Sequence, residues 1–328
     1  MNFRYFSDLN WKVSEIGLGC WQIGWCWGDV LDNDARELIK TSLDQGVNFF
    51  DTSDTYGDGR SEKFLSEIIK STKEKIYVTT KLGRRIRGTN YERGYKHFPM
   101  EEFVDRSLKN LGVEQIDLVQ LHCPPLEQYS KPETFELMDE IVKKGKISNY
   151  GVSVYNLSEA YEAMKYKNVK SIQLVFNIFR QKPIEKFLNL AKKNNIAVIA
   201  RGPLASGLLG GEIDKTTKFP ENDHRNYNRD GSAFDVGDTF SGVNFEKGLM
   251  AVKELKKILP KNFTLSQLAL RWILMHQEVT VVIPGAINSY QVKQNTDVSE
   301  KETISDLMPE IKTIFEKYIK DDVDHRWL

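Results

Sequence analysis

The sequence predicts an α/β protein built as a (β/α)8 barrel with an N-terminal β-hairpin closing its bottom. Three observations predict it. Short β-branched runs recur along the chain without polar alternation, as expected of parallel strands covered on both faces. Amphipathic, helix-period stretches alternate with them to give eight strand–helix units, and no Pro/Gly/Ser-rich linker or shift in composition divides the series. The open doubly wound sheet is disfavoured because "GLGCWQIG" lacks the third glycine of a G-x-G-x-x-G turn.

Taken in order, "FRYFSDLNWKVS" reads as the hairpin, and "SEIGLG" leads to a helix near Asp32–Asp44. "VNFF" leads to Ser61–Ile69. "IYVTT" leads to Met100–Leu111, stopped by Gly112, and "IDLVQL" to Pro132–Lys144, stopped by Gly145. "NYGVSV" precedes Leu157–Tyr166, and "IQLVF" precedes Pro183–Asn194. "IAVIA" opens onto a long irregular stretch, and "VTVVI" pairs with a helix starting near Asn288. The whole chain, 1–328, reads as one domain, with a C-terminal helix and tail over 303–328. The segment 211–242 is too long for an ordinary connection. It is either a functional lid or clasp, or an unstructured insertion.

Composition narrows the function. Of the 328 residues 40% are hydrophobic and 28% charged, enough for a large core. Basic and acidic residues both number 46, so no net field favours nucleic acid or an anionic membrane. No signal-peptide pattern and no apolar run of membrane-spanning length are present, which points to the cytoplasm. Cys20, Cys26 and Cys123 lack metal-type spacing and read as packing or pocket thiols in a reducing compartment.

The chemistry should lie where barrel strands end. Asp51 ends "VNFF", Lys81 follows "IYVTT", His122 ends "IDLVQL", and Tyr56 stands in the loop just past Asp51. Each alone has an ordinary structural explanation. Together at consecutive strand ends they make a proton-transfer set: an ammonium held by a carboxylate, lowering the pKa of a phenol, beside an imidazole that can bind a carbonyl oxygen. Such a set protonates an oxygen as hydride reaches its carbon, and hydride requires a cofactor.

The segments "FFDTSDTYGDGRSE", "TTKLG", "LVQLHCPP", "GVSVYN", "IQLVFN", "RGPLASGLL" and "VVIPGAINSYQVKQN" resemble, in order, the aldo-keto reductase superfamily of bacterial type. The resemblance implies a barrel that binds NADP(H), with NAD(H) possible, no metal, and a catalytic tetrad of Asp51, Tyr56, Lys81 and His122. By position it assigns Ser153 and Gln173 to the nicotinamide carboxamide, although Val154 stands where the family commonly has Asn. It assigns Arg201 to the place where many members stack an aromatic ring. Backbone through Gly202, Pro203, Leu204, Ser206 and Leu208 would face the pyrophosphate. Pro284, Gly285, Ala286, Gln291, Gln294 and Asn295 would meet the adenosine phosphate and adenine, with Gly285 and Gln291 where several relatives carry Lys and Arg.

On the substrate side, "GCWQIGWCWGD" offers Trp21 and Trp27 as pocket walls, with Trp25 expected to pack on a neighbouring loop. Arg84, Arg85 and Arg87 either meet an acidic substrate or form a solvated rim. His325 and Trp327 could fold back over the mouth. The leading reading is an oxidoreductase interconverting an aldehyde, ketone or aldose sugar with its alcohol. The alternatives are an NADPH-binding regulatory or sensor protein and a barrel isomerase or lyase without a redox step.

Overall fold

The computed structural model describes residues 1–24, 27, 30–84 and 100–328. Trp25, Cys26, Arg85 and Arg87 lie outside the described residues. Strands β1 (Phe3–Phe6) and β2 (Trp11–Ser14) form an antiparallel hairpin. The eight strands β3 (Leu18–Gly19), β4 (Phe49–Asp51), β5 (Tyr77–Leu82), β6 (Ile116–His122), β7 (Ile147–Ser153), β8 (Val169–Val175), β9 (Ala197–Arg201) and β10 (Val279–Val282) follow one another in a parallel sheet in chain order. The sheet closes on itself through a parallel bridge between Ile16 and Val282, with Gly17 N donating to Val282 O at 2.8 Å and Gly19 N to Pro284 O at 3.0 Å. Gly17 is needed at this seam, since an added Cβ would stand 2.8 Å from Phe49 O. The predicted (β/α)8 barrel is the fold observed.

The hairpin plugs the N-terminal ends of the strands. Phe6 stacks on Phe49, the first residue of β4, at 5.6 Å between ring centroids, and Trp11 stacks on Tyr77, the first of β5, at 4.7 Å. These rings join Val13, Leu118, Ala197, Ile199 and Val281 in a buried cluster inside the barrel. A second, larger core lies between the strands' outer faces and the helices. Burying both faces removes the polar alternation that a half-exposed strand would show.

Most predicted helices are found within a few residues: Asp32–Asp44, Arg60–Ser71, Met100–Leu111, Pro132–Lys143, Leu157–Ala163, Phe187–Lys193 and Ser289–Thr296. Gly112 and Gly145 stop their helices at φ of 67° and 76°. The stretch after β9 is a departure from the sequence reading, because it contains the helices Phe245–Lys257 and Leu265–Leu274. The first carries an Asn244 cap and buries Gly248, Ala251, Val252 and Leu255 at helical spacing. The second is buried at nearly every position and so presents little polar face, although the Thr264–Gln267 capping box marks its start. The segment 211–242 is not an unstructured insertion: it holds the short helix His224–Tyr227 and buries Asp223, His224, Asn228, Thr239 and Ser241.

Candidate active site

The strand register brings the expected groups to one end of the barrel. Lys81 lies opposite Gln120 of β6, His122 opposite Ser153 of β7, and Ser153 opposite Gln173 of β8. Asp51 is anchored by Phe49 and Phe50, which are fully buried. Tyr56 hangs on the following turn, fastened by Tyr56 N to Ser53 O at 3.1 Å and pressed against Gly24, where an added Cβ would come within 2.7 Å of the Tyr56 backbone. Arg60 ties this turn to the first barrel loop by donating to the carbonyls of Ile23 and Val30.

At the centre stands the Lys81 ammonium, buried and with its three donors used: Asp51 Oδ2 at 2.6 Å, Thr52 O at 2.8 Å and Tyr56 OH at 3.3 Å. An ammonium has donors only. The Tyr56 oxygen therefore accepts, and its own O–H is directed elsewhere. Burial is the largest influence on Lys81 and pulls its pKa down, but Asp51 and Tyr56 outweigh it and the net shift is upward.

Tyr56 departs from the sequence expectation. Burial raises its pKa, and Lys81, which does pull it down, does not offset that. Burial is the leading cause, and the neighbouring Asp51 carboxylate adds to the rise. His122 is held well below the ordinary imidazole range by burial and then by Arg84, Lys81 and Arg201, so it is neutral at pH 7. Its Nδ1 meets Ser53 Oγ at 3.2 Å.

The candidate cofactor residues line the next arc. Ser153 and Gln173 are buried at the ends of β7 and β8. Gln173 Nε2 donates to Asp51 Oδ1 at 2.7 Å, a bond the sequence reading did not contain. Arg201 ends β9, where its guanidinium is held by Asp238 and donates to Val154 O at 3.3 Å. Beyond it the chain turns sharply, with positive φ at Gly202, Ala205, Ser206 and Gly207, through Pro203 and Leu204 to the buried Leu208. After β10, Pro284 leads to Gly285 and Ala286, whose backbone N–H groups donate to nothing among the described residues. The end of the Gln22 side chain lies against Gly285, so a side chain at 285 would have to displace it. Asn288 caps the helix that follows, Gln291 accepts from Ile287 N at 3.0 Å, Gln294 accepts from Gln267 at 3.2 Å, and Asn295 donates to Gly285 O at 3.4 Å.

The segment 211–242 crosses this site. Asp238 accepts from Tyr155 OH at 3.1 Å, lies 4.0 Å from Arg84, and accepts from Ser206 Oγ through its backbone carbonyl at 3.1 Å. Arg84 also packs on the Tyr155 ring at 5.0 Å, so it is part of a cluster beside His122 rather than a solvated rim. The Trp21 ring lies roughly parallel to Tyr56, at 6.3 Å between centroids, and to His224, at 4.9 Å, and the Trp27 and His224 centroids are 4.6 Å apart at a steep angle. Trp327 folds in as the sequence allowed, with Arg180 at 3.6 Å over its ring and Nε1 donating to Asp235 at 3.2 Å, whereas His325 is exposed. Cys20 and Cys123 are free and buried. Among the described residues no His/Cys/Asp/Glu group is arranged to hold a metal, and no helix is long and apolar enough to cross a membrane. Asp238 and His224 were not foreseen, because nothing in their spacing links a loop to strand ends so distant in sequence.

A model of the Aldo/keto reductase family matches residues 15–316. The chain belongs to that family. It is 30% identical over 332 residues to the aldo-keto reductase YhdN of Bacillus subtilis, covering 98% of this chain and 96% of the relative. It is 27% identical over 298 residues to the aldo-keto reductase yakc [NADP(+)] of Schizosaccharomyces pombe, covering 87% and 84%. In three dimensions it is similar to the glycerol dehydrogenase AKR11B4 from Gluconobacter oxydans, with a TM-score of 0.76, 28% identity, and 98% and 96% of the two chains covered. This aldo/keto reductase thus shares both fold and sequence with its relatives across nearly its whole length.

Proposed function

We propose that the protein is an NADP(H)-dependent oxidoreductase that interconverts an aldehyde, ketone or aldose with its alcohol, using Tyr56 as general acid and base. The observation that carries this reading is the direction of the Lys81–Tyr56 hydrogen bond, which leaves the phenol's proton available to a ligand. The donor set suits a dinucleotide: unengaged backbone N–H groups at Gly285 and Ala286 and a sharp turn at Ser206 can receive anionic groups. Ser153 and Gln173 would hold the carboxamide, the turn from Gly202 to Leu208 the pyrophosphate, and 284–295 the adenosine phosphate. NAD(H) remains a weaker substitute on this reading.

When bound, the nicotinamide supplies or takes the hydride. Neutral His122 donates a hydrogen bond to the carbonyl oxygen. As negative charge collects there, Tyr56 transfers its proton and the resulting phenolate is stabilised by the Lys81 ammonium. Alcohol oxidation reverses each step. Trp21 and Trp27 form the apolar wall for the substrate, and Arg84, between Tyr155 and Asp238, is a further contact. The 211–242 segment covers the cofactor, and the whole chain acts as one domain in the cytoplasm. A sensor role would need the cofactor residues but not a fully donating Lys81, so the reductase is the reading favoured.

The test is Tyr56→Phe, assayed with aldehydes, ketones and aldoses in both directions and with both nicotinamide nucleotides. Carbonyl reduction should be abolished while NADPH still quenches tryptophan fluorescence. Undiminished turnover in the variant would overturn the assignment.

A further inference from the structure

We propose that Gln173 is a positioning residue for the Asp51–Lys81 pair, and that through it β8 controls the proton affinity of Tyr56 from the far side of the barrel. The inference rests on the reading of Tyr56 as the proton donor. β8 stands four places from β4 in the ring of strands, so the two residues face each other across the barrel axis. Gln173 Nε2 donates to Asp51 Oδ1 at 2.7 Å while Lys81 Nζ donates to Asp51 Oδ2 at 2.6 Å. The carboxylate is thereby gripped at both oxygens.

A carboxylate offers acceptors only, so the amide nitrogen must be the atom that meets it. That settles the flip of Gln173 and turns Oε1 the other way, where it accepts no hydrogen bond among the described residues. The bond has an electrostatic consequence. A buried N–H on Oδ1 withdraws negative charge from the carboxylate, and what remains determines how completely Asp51 neutralises the ammonium. A stronger Asp51 charge leaves less positive field for Tyr56, and the phenol becomes harder to ionise. The other titratable or charged groups around the pair are His122 from β6, Arg201 from β9 and Cys20 just past β3. None of them donates to Asp51 among the described residues.

Gln173→Leu and Gln173→Glu separate this role from simple packing. Leu removes the donor. Glu faces Asp51 with a second carboxyl, and two carboxyls that close cannot both ionise. They share one proton, which restores the donor until that proton is lost. The readout is the ionisation of Tyr56 in the cofactor-free protein, followed by NMR of ring-labelled tyrosine with Tyr56→Phe as the assignment control. In Gln173→Leu the titration should move up by about half a pH unit, part of the scale of one lost charge-assisted hydrogen bond, since the bond reaches Tyr56 only through Asp51 and Lys81. Gln173→Glu should match the wild type at low pH and acquire a second ionisation as pH rises. In turnover, Gln173→Leu should lower kcat about tenfold or more, and Gln173→Glu should add a falling limb to the kcat profile.

A Tyr56 titration unchanged in both variants would overturn the proposal. If Gln173→Leu does not fold, Gln173→Glu alone decides, through presence or absence of the second ionisation. The titration uses neither cofactor nor substrate. An active Tyr56→Phe enzyme would therefore remove the functional reading without touching this result.

Discussion

The carboxylate of Asp238 grips the guanidinium of Arg201, joining the long segment after β9 to the strand's own last residue. Both side chains are largely buried, at 7% and 16% exposure, and Tyr155 and Ser206 bond the same aspartate. The segment is thus stitched across the place assigned to the nicotinamide and pyrophosphate.

Asp238→Asn leaves a guanidinium with no counter-charge at close range. A loss of roughly 3 kcal/mol is expected from breaking such a pair. It should register as a lower unfolding midpoint and as faster proteolytic cleavage within 211–242. Cleavage at the wild-type rate would mean that the pair does not hold the segment.

The raised pKa of Tyr56 sets opposite pH behaviour for the two directions. On the proposed mechanism reduction needs the protonated phenol, so its rate should stay level from pH 6 to about 9. Oxidation needs the phenolate and should rise close to tenfold per pH unit over the same range. An oxidation rate already level at pH 7 would show that the phenol ionises far lower than the structure indicates.

Lys81→Met removes the ammonium while keeping much of the bulk. Reduction should fall by about two to four orders of magnitude. Near-UV circular dichroism should confirm that the protein remains folded. A tenfold loss or less would assign Lys81 a structural role.

Stability should depend on pH through buried histidines. His224 is lowered to about 4 by burial, and His122 well below its ordinary value for the same leading reason. Between pH 6.5 and 4 the unfolded chain takes up protons that the folded protein refuses, so stability is full above that window and falls with pH through it. For His224 alone the loss is roughly 3 kcal/mol. His224→Gln should show a shallower decline of melting temperature from pH 7 to pH 4 than the wild type does.

Trp21→Ala opens the wall between Tyr56 and His224. KM for a carbonyl substrate should rise about tenfold or more, with a smaller change in kcat, as for a lost apolar contact. Equal falls in kcat and kcat/KM would make the ring part of the transition-state contacts instead.

Much of the fold was legible because a barrel strand covered on both faces must be short, apolar and bounded, and its helix must be amphipathic. Asp51, Lys81 and His122 could be picked out for the same reason, since a polar residue that ends a buried run is conspicuous. The helix Leu265–Leu274 is the harder to see of the two helices after β9 because its nearly complete burial leaves little polar face to set off the apolar run, and only the Thr264–Gln267 capping box marks it. The 211–242 segment was ambiguous because its polar composition suits exposure, whereas its order comes from a few side chains such as His224, Asn228 and Asp238 meeting distant partners.

The sequence by itself determined which groups could do chemistry and on which strand ends they stand, because hydrophobic period and side-chain type are local properties. Tertiary structure decided how strongly each group holds its proton and what orients it. Tyr56 is less acidic than its lysine neighbour suggested, since burial outweighs a partly neutralised cation. Gln173 reaches Asp51 from 122 positions away because closing the barrel sets β4 opposite β8. Proton affinity depends on distance and solvent exposure, and both exist only once the chain has closed.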